Sequence, residues 1–203
     1  YLVLLSEHGM NASTFAARVT TSTLSDMYSA ITTAIGTLKG AAHGGANEEA
    51  MKMFFEIGEA EHVESWFNEN VKTGKRRVMG MGHRVYKALD PRAAVLKSKS
   101  RVMAEATGNL RWYDLASKLD KYARQDEDFI KKNLYANVDY YSAIALYTVG
   151  IPLDQFTPLF AIARVPGWSA HIMEQWADTR LIRPDVDYVG PMDLEWKPID
   201  QRE

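Results

Sequence analysis

Apolar residues in this chain recur at helical spacing almost from end to end, and strict alternation is nearly absent. A chain patterned this way must bury its stripes by packing helix on helix, so the fold class is mainly α. From Asp26 to Lys39, Tyr28, Ile31, Ile35 and Leu38 form an i, i+3, i+7, i+10 stripe, with Ser25 as cap and Gly40 as stop. Ala30, Ala34 and Gly36 on the same segment would let a neighbouring helix approach closely. Asn47 is placed to cap a helix whose first turn carries Glu48 and Glu49, as the helix dipole favours. Val63, Trp66, Phe67 and Val71 predict a helix ending at Gly74, and Val95 to Ala106 one ending at Gly108. Trp112, Leu115, Leu119, Tyr122 and Ile130 trace a single longer helix. Further helices are expected over about 138–149, 154–165 and 166–179, the last two separated at Pro166. Arg77-Val78-Met79 is the best strand candidate, and the stretch from Pro184 reads as an extended tail.

At 203 residues and 22.9 kDa the chain can bury a sizeable core, since chains of this size bury roughly 70% of their unfolded surface. A net charge of −2 gives no footprint for nucleic acid. The basic clusters at Lys72–Arg77 and Lys97–Arg101 are explained by solvated helix faces, with a phosphate-bearing ligand as the second reading. There is no cysteine, which excludes disulfides, thiolate metal sites and a thiol nucleophile. No apolar run approaches a membrane span of roughly 18 residues, and no signal-peptide pattern opens the chain. A cytoplasmic or organelle-matrix protein is expected. The opening run Tyr1-Leu2-Val3-Leu4-Leu5 has no cap before it and reads as the middle of an element, so a preceding N-terminal part is expected.

Three of the five histidines fall at glycine-flanked helix junctions: His8, His43 and His83. His62 and His171 look like ordinary helix residues. No histidine pair has the i, i+3 or i+4 spacing of a helical metal site, so acid–base and electrophilic roles suit them better. After His83, Asp90 is a good N-cap and Pro91 a good first helical residue, so Arg92 should project from a helix N-terminus. An imidazole beside a guanidinium suits a carboxylate ligand that bears a carbonyl. His43, near a helix N-terminus, should resist protonation and could donate to a developing enolate oxygen. Asp139, among Tyr140, Tyr141 and Val138, is a candidate base whose strength rises on burial; capping a helix is its plainer role. Arg164 stands in an apolar stretch and needs an anion, from the protein or from a ligand. Arg183 could be a plain surface residue.

Taken in series, Glu7-His8-Gly9-Met10-Asn11-Ala12-Ser13-Thr14, His43-Gly44-Gly45-Ala46-Asn47, Gly82-His83-Arg84-Val85-Tyr86-Lys87 with Asp90-Pro91-Arg92, Asn137-Val138-Asp139, and Ala163-Arg164 with Gly167-Trp168-Ser169-Ala170-His171 resemble the citrate synthase family. The likeness spans the chain but corresponds to the C-terminal part of the family's polypeptide. It implies a multi-helical fold with a small domain at 46–148, closing over substrates, inserted in a large helical domain formed by 1–45 and 149–203. It implies condensation of acetyl-CoA with oxaloacetate and hydrolysis of citryl-CoA, with no metal and no resident cofactor. By motif match Asp139 is the base, His43 stabilises the thioester enol, and His83 polarises and protonates the ketone. His8, Arg92 and Arg164 hold the oxaloacetate carboxylates, and Arg183 reaches the site from a second subunit of a homodimer. Val78, Met79, Gly80, Met81 and Gly82 lie against the CoA adenine, with Lys87 for its phosphates. Propionyl-CoA in place of acetyl-CoA, as in 2-methylcitrate synthase, fits the same motifs, and a non-catalytic chain needing a second chain for the missing helices is the alternative from another class. Ala41, Ala42, Ala136 and Ala143 depart from residues common in the family; they alter packing and remove no matched catalytic group.

Overall fold

A computed structural model describes every residue except Arg84, Val85, Lys87 and Glu203. Among the described residues it is helical with no strand, as the periodicity requires: α1 Leu2–Leu5, α2 Ala12–Ser22, α3 Met27–Leu38, α4 Ala46–Ile57, α5 Val63–Trp66, α6 Pro91–Thr107, α7 Arg111–Ala123, α8 Glu127–Lys131, α9 Val138–Thr148 and α10 Phe156–Ala177. The Arg77–Met79 segment forms no strand; the loop after it makes one isolated bridge, Met81 to Ala136. One packed group brings α1, α2, α3 and α10 together, and another brings α4, α6, α7 and α9 together, with α10 also touching α4. No described helix is long and apolar enough to cross a membrane.

Several boundaries move for identifiable reasons. The cap of α3 is Asp26 rather than Ser25, because its carboxylate accepts from both the backbone N–H (2.9 Å) and the hydroxyl (3.0 Å) of Ser29. The buried face of α3 is Ala30, Ala34 and Leu38, with Ile31 packed against the core, while Tyr28 is 85% exposed, so the small residues share the inward face with only half of the large stripe. α4 starts one residue before Asn47, which lies inside the first turn; a turn at Gly44-Gly45 precedes it. A Cβ on Gly44 would sit 2.5 Å from Leu38 Cγ, so only glycine fits there. The 112–130 stripe is split, since Asp126 accepts from the N–H groups of Asp128 and Phe129 and starts a separate helix. A 3-10 turn, a short α-helix and a π turn share the stretch that ends at Gly74.

The largest difference is at Pro166, which lies inside α10 instead of separating two helices. Proline cannot donate to the preceding turn. The next residue adds a tie outside the helix: Gly167 N–H reaches across to Ser6 O at 3.1 Å and joins this turn to the chain before His8. Beyond α10 the chain runs extended as expected, apart from a 3-10 turn at Ile199–Gln201, and leaves Val186, Val189 and Trp196 more than three-quarters exposed.

Candidate active site

Three junctions carry the histidines, and each is built by local capping. Asn11 caps α2 by accepting Thr14 N–H (3.2 Å), which sets the turn holding His8. His43 lies in the turn between α3 and α4, its Nε2 2.9 Å from Ser13 Oγ. His83 follows a loop whose Gly80 and Gly82 have φ of +77° and +88°. A Cβ on Gly80 would lie 2.8 Å from Tyr140 backbone atoms, so glycine alone lets this loop lie against the start of α9. Asn137 fastens the two: its Nδ2 donates to Gly82 O (2.8 Å) while its Oδ1 caps α9 through Asp139 N–H (2.9 Å).

These junctions converge. The rings of His8 and His83 stand edge to face with centroids 5.2 Å apart, and Tyr86 packs against both, at 5.6 and 4.8 Å. Tyr86 N–H donates to His83 Nδ1 (3.1 Å), which leaves the imidazole proton on Nε2. The Arg92 guanidinium lies 5.9 Å from the Tyr86 ring centroid. Arg92 does project from the first turn of α6, but it folds back on its own cap, with Nε 3.1 Å and Nη2 2.8 Å from the Asp90 carboxylate oxygens. Burial pushes the Asp90 carboxyl up, and the bonds and charge of Arg92 outweigh it and hold the group low. Arg164 is 1% exposed and donates from Nε to Leu5 O.

The electrostatics tie the same groups together. Burial pushes the Asp139 carboxyl up to about 7, with Arg92 opposing, Asp90 adding and Arg164 opposing. Burial pulls His8 down to about 4, helped by Arg92, His83 and Arg164. Burial, then Arg164, lowers His43; the cause is the buried setting and a cation rather than the helix end alone. Burial and Arg92 bring Arg164 down to about 10, so it stays charged at neutral pH. Five buried side-chain polar atoms lack a hydrogen-bond partner among the described residues, and three are here: His8 Nε2, Asp139 Oδ1 and Arg164 Nη1. Unpaired groups of both kinds, acceptor and donor, at one place are what a polar ligand could satisfy.

A family model described as "Citrate synthase, C-terminal domain" matches residues 1–185. The chain belongs to the citrate synthase family. It is 47% identical to the citrate synthase of Haloferax volcanii over 99% of its own length and 52% of that protein. To citrate synthase 2 of Bacillus subtilis it is 48% identical, covering 99% of itself and 52% of the relative. The solved ternary complex of Thermoplasma acidophilum citrate synthase with carboxymethyl coenzyme A and oxaloacetate matches with a TM-score of 0.92 at 44% identity, over 99% of this chain and 53% of that one. This citrate synthase family chain thus spans about half the length of the relatives it matches.

Of the residues singled out in the sequence, the cluster contains His8, His83, Arg92, Asp139 and Arg164, with His43 reaching it through Ser13 and the field of Arg164. Arg183 does not join it: its side chain is 74% exposed, 3.6 Å from Asp185. Val78 and Gly80 are buried; Met79, Met81 and Gly82 are half-buried. Met79 lines a cavity of about 190 Å³ with Lys52, Arg76 and Arg77 among others. Lys87 lies outside the described residues. Sequence reasoning passed over Ser13, Tyr86 and His171. Ser13 Oγ links His43 Nε2 with Trp168 Nε1 (3.2 Å) and Asn11 Oδ1 (2.8 Å). His171, read as an ordinary helix residue, meets Glu7 at 3.0 Å. The signal for all three was available in part, since each lies within a quoted motif.

Proposed function

We propose that this chain carries the condensing site of a citrate synthase, joining acetyl-CoA to oxaloacetate and hydrolysing the citryl-CoA formed. The observation that carries the reading is the convergence of a carboxyl pushed up to about 7 with the His8 imidazole and the Arg164 guanidinium, each of which has one buried polar atom without a partner among the described residues. A thioester α-carbon is a weak acid, so the base and an enol-stabilising donor must act together away from water. Asp139 takes the proton from the acetyl methyl group, and its raised affinity for protons suits that work near neutral pH. Neutral His43 donates to the thioester oxygen as negative charge gathers there. The enol carbon attacks the ketone carbon of oxaloacetate, and His83, with its proton on Nε2, protonates the ketone oxygen. Arg92, Arg164 and neutral His8 hold the carboxylates. Water then cleaves the citryl thioester, releasing CoA as the thiol.

Several further parts rest on the same reading. Residues 46–148 form the small domain and the remainder belongs to the large one, supported by the packing of α4, α6, α7 and α9 together and of α2, α3 and α10 together. The loop Val78–Gly82 receives the CoA adenine, supported by its glycine-dependent seat on α9 and by the neighbouring cavity at Met79, where Lys52 and Arg76 pair with Glu49 and Glu56 and Arg77 also lines the wall. A homodimer, in which Arg183 serves the partner's site, is supported by the exposed apolar tail and by Tyr28 and Ile35 on α3; a cytoplasmic setting is part of the same proposal. The deciding experiment is thiol release from acetyl-CoA with and without oxaloacetate, repeated with propionyl-CoA. Oxaloacetate-dependent release is expected, faster with acetyl-CoA; no dependence on oxaloacetate overturns the assignment, and preference for propionyl-CoA moves it to 2-methylcitrate synthase.

A further inference from the structure

One face of α10 grips three successive residues just before His8. Arg164 Nε donates to Leu5 O, Gly167 N–H donates to Ser6 O, and His171 Nε2 meets Glu7 Oε1 at 3.0 Å. Positions 164, 167 and 171 share a face at i, i+3 and i+7. The approach is tight: a Cβ on Gly167 would fall 2.2 Å from Ser6 O. The same Glu7 Oε1 accepts Gly9 N–H at 2.6 Å, so this carboxylate spans His8 and closes the turn that holds it, with Gly9 at φ +57°. Burial raises the Glu7 carboxyl, and the hydrogen bonds from His171 and Gly9 overcome it and hold it low.

The tautomer of His171 follows from its other nitrogen. Nδ1 lies 3.2 Å from Arg18 Nη1, and a guanidinium only donates. Nδ1 therefore accepts and Nε2 carries the proton, which it gives to Glu7. Arg18 is anchored in turn on Glu174 Oε2 and the His171 carbonyl. A relay from Glu174 through Arg18 and His171 to Glu7 thus joins α2 and α10 to the His8 turn.

We propose that His171 is a positioning residue for His8, holding the Glu7 carboxylate across the turn so that the His8 imidazole is presented to a substrate carboxylate. This rests on the reading that His8 binds oxaloacetate. In His171→Ala, the KM for oxaloacetate rises about tenfold, near the value of one charge-assisted hydrogen bond, while kcat stays within about threefold and the KM for acetyl-CoA within about twofold. His171→Gln keeps an N–H donor at similar reach and returns the oxaloacetate KM to within about threefold of the parent. Long-range proton–nitrogen spectra of the ligand-free protein supply an independent readout: the His8 ring signals move in His171→Ala and Glu7→Ala and recover in His171→Gln. Should His171→Ala fail to fold, Glu7→Ala carries both readouts from the other end. A lowered melting temperature with unmoved His8 signals and an unmoved oxaloacetate KM overturns the proposal. Absent turnover in the unsubstituted protein sinks the citrate synthase reading instead, and the His8 signals still decide the role of His171.

Discussion

Two aspartates lie in the same helical layer and are treated oppositely. Asp120, on α7, is 1% exposed and fully provided for: Lys97 Nζ at 2.9 Å, Arg124 Nε at 2.7 Å and the Tyr141 hydroxyl at 2.7 Å. Burial raises its carboxyl, and the bonds from Arg124, Lys97 and Tyr141 outweigh that and hold it below the usual range. Asp139, on the first turn of α9, has a buried Oδ1 with no partner and a carboxyl pushed up to about 7. A satisfied carboxylate is an anchor with little tendency to take a proton. An unsatisfied one is destabilised as the anion, and that instability is what makes it a base.

The widest separation between the two is expected in turnover. Asp139→Asn keeps the shape and removes the base, and condensation slows by about 100- to 10,000-fold, the range for a lost general base. Steady-state rates at saturating oxaloacetate check this; turnover near normal would remove Asp139 from the mechanism. Stability separates them the other way. Asp120→Ala leaves the buried Tyr141 hydroxyl without its acceptor and two cations without their anion, which destabilises the fold by about 3 kcal/mol. Because Lys97 and Arg124 are each 38% exposed, the loss sits at the low end for a broken buried pair. Urea unfolding midpoints measure it, and a loss below about 1 kcal/mol would show that solvent replaces the network.

Linkage sharpens the contrast with pH. Asp139 has its folded pKa raised from 3.8 to about 7, so folding is favoured most below the unfolded value and stability is lost as pH rises through about 7. At about 1.4 kcal/mol per unit the ceiling is about 4 kcal/mol. At pH 8 Asp139→Asn is therefore expected to stabilise the ligand-free protein by up to about 4 kcal/mol, while at pH 4 the two forms converge to within about 1 kcal/mol. Asp120 has the opposite sign: its contribution is present above 3.8 and is lost as pH falls through its lowered folded value. Thermal melting across this pH range decides the matter, and parallel curves for Asp139→Asn and the parent would contradict the raised pKa.

What could be read without coordinates follows how local each determinant is. The Asp90-Pro91 start and the Gly108 stop of α6 were legible because cap and helix are adjacent in the chain. The continuity of α10 through Pro166 was not, and the bond that Gly167 makes there goes to Ser6 O, far away in sequence. The same holds at the site. His8, His83 and Asp139 announce themselves at helix junctions. Tyr86 and Ser13 lie inside quoted motifs, but Tyr86 shows its place only where the His8 ring meets it and His83, and Ser13 only through partners 30 and 155 residues away. The fold-back of Arg92 onto Asp90 joins neighbours, yet the sequence allowed both this and projection toward a ligand.

The smallest expected effect lies with Ser13, the counterpart, for His43, of what Asp120 receives in full. Its hydroxyl has one proton and two acceptors, Asn11 Oδ1 at 2.8 Å and His43 Nε2 at 2.9 Å, and it accepts from Trp168 Nε1. In the arrangement shown the Ser13 hydroxyl donates to Asn11 Oδ1; for His43 to donate from Nδ1 to an enol oxygen, Nε2 must accept, so the serine proton must swing from Asn11 Oδ1, which retains the Thr14 N–H, to the imidazole. Ser13→Ala removes that preference between tautomers and is expected to lower kcat about tenfold. It also strands the buried Trp168 N–H, at about 1–2 kcal/mol of stability. Trp168→Phe as a second background separates the two consequences, since it carries the cost of its own cavity in both forms. Measured against Trp168→Phe alone, adding Ser13→Ala should cost little further stability, because no donor is left unpaired, while kcat still falls about tenfold, because His43 lacks its proton donor. If kcat does not fall in that background, Ser13 serves packing around Trp168 and the tautomer of His43 is fixed by something else.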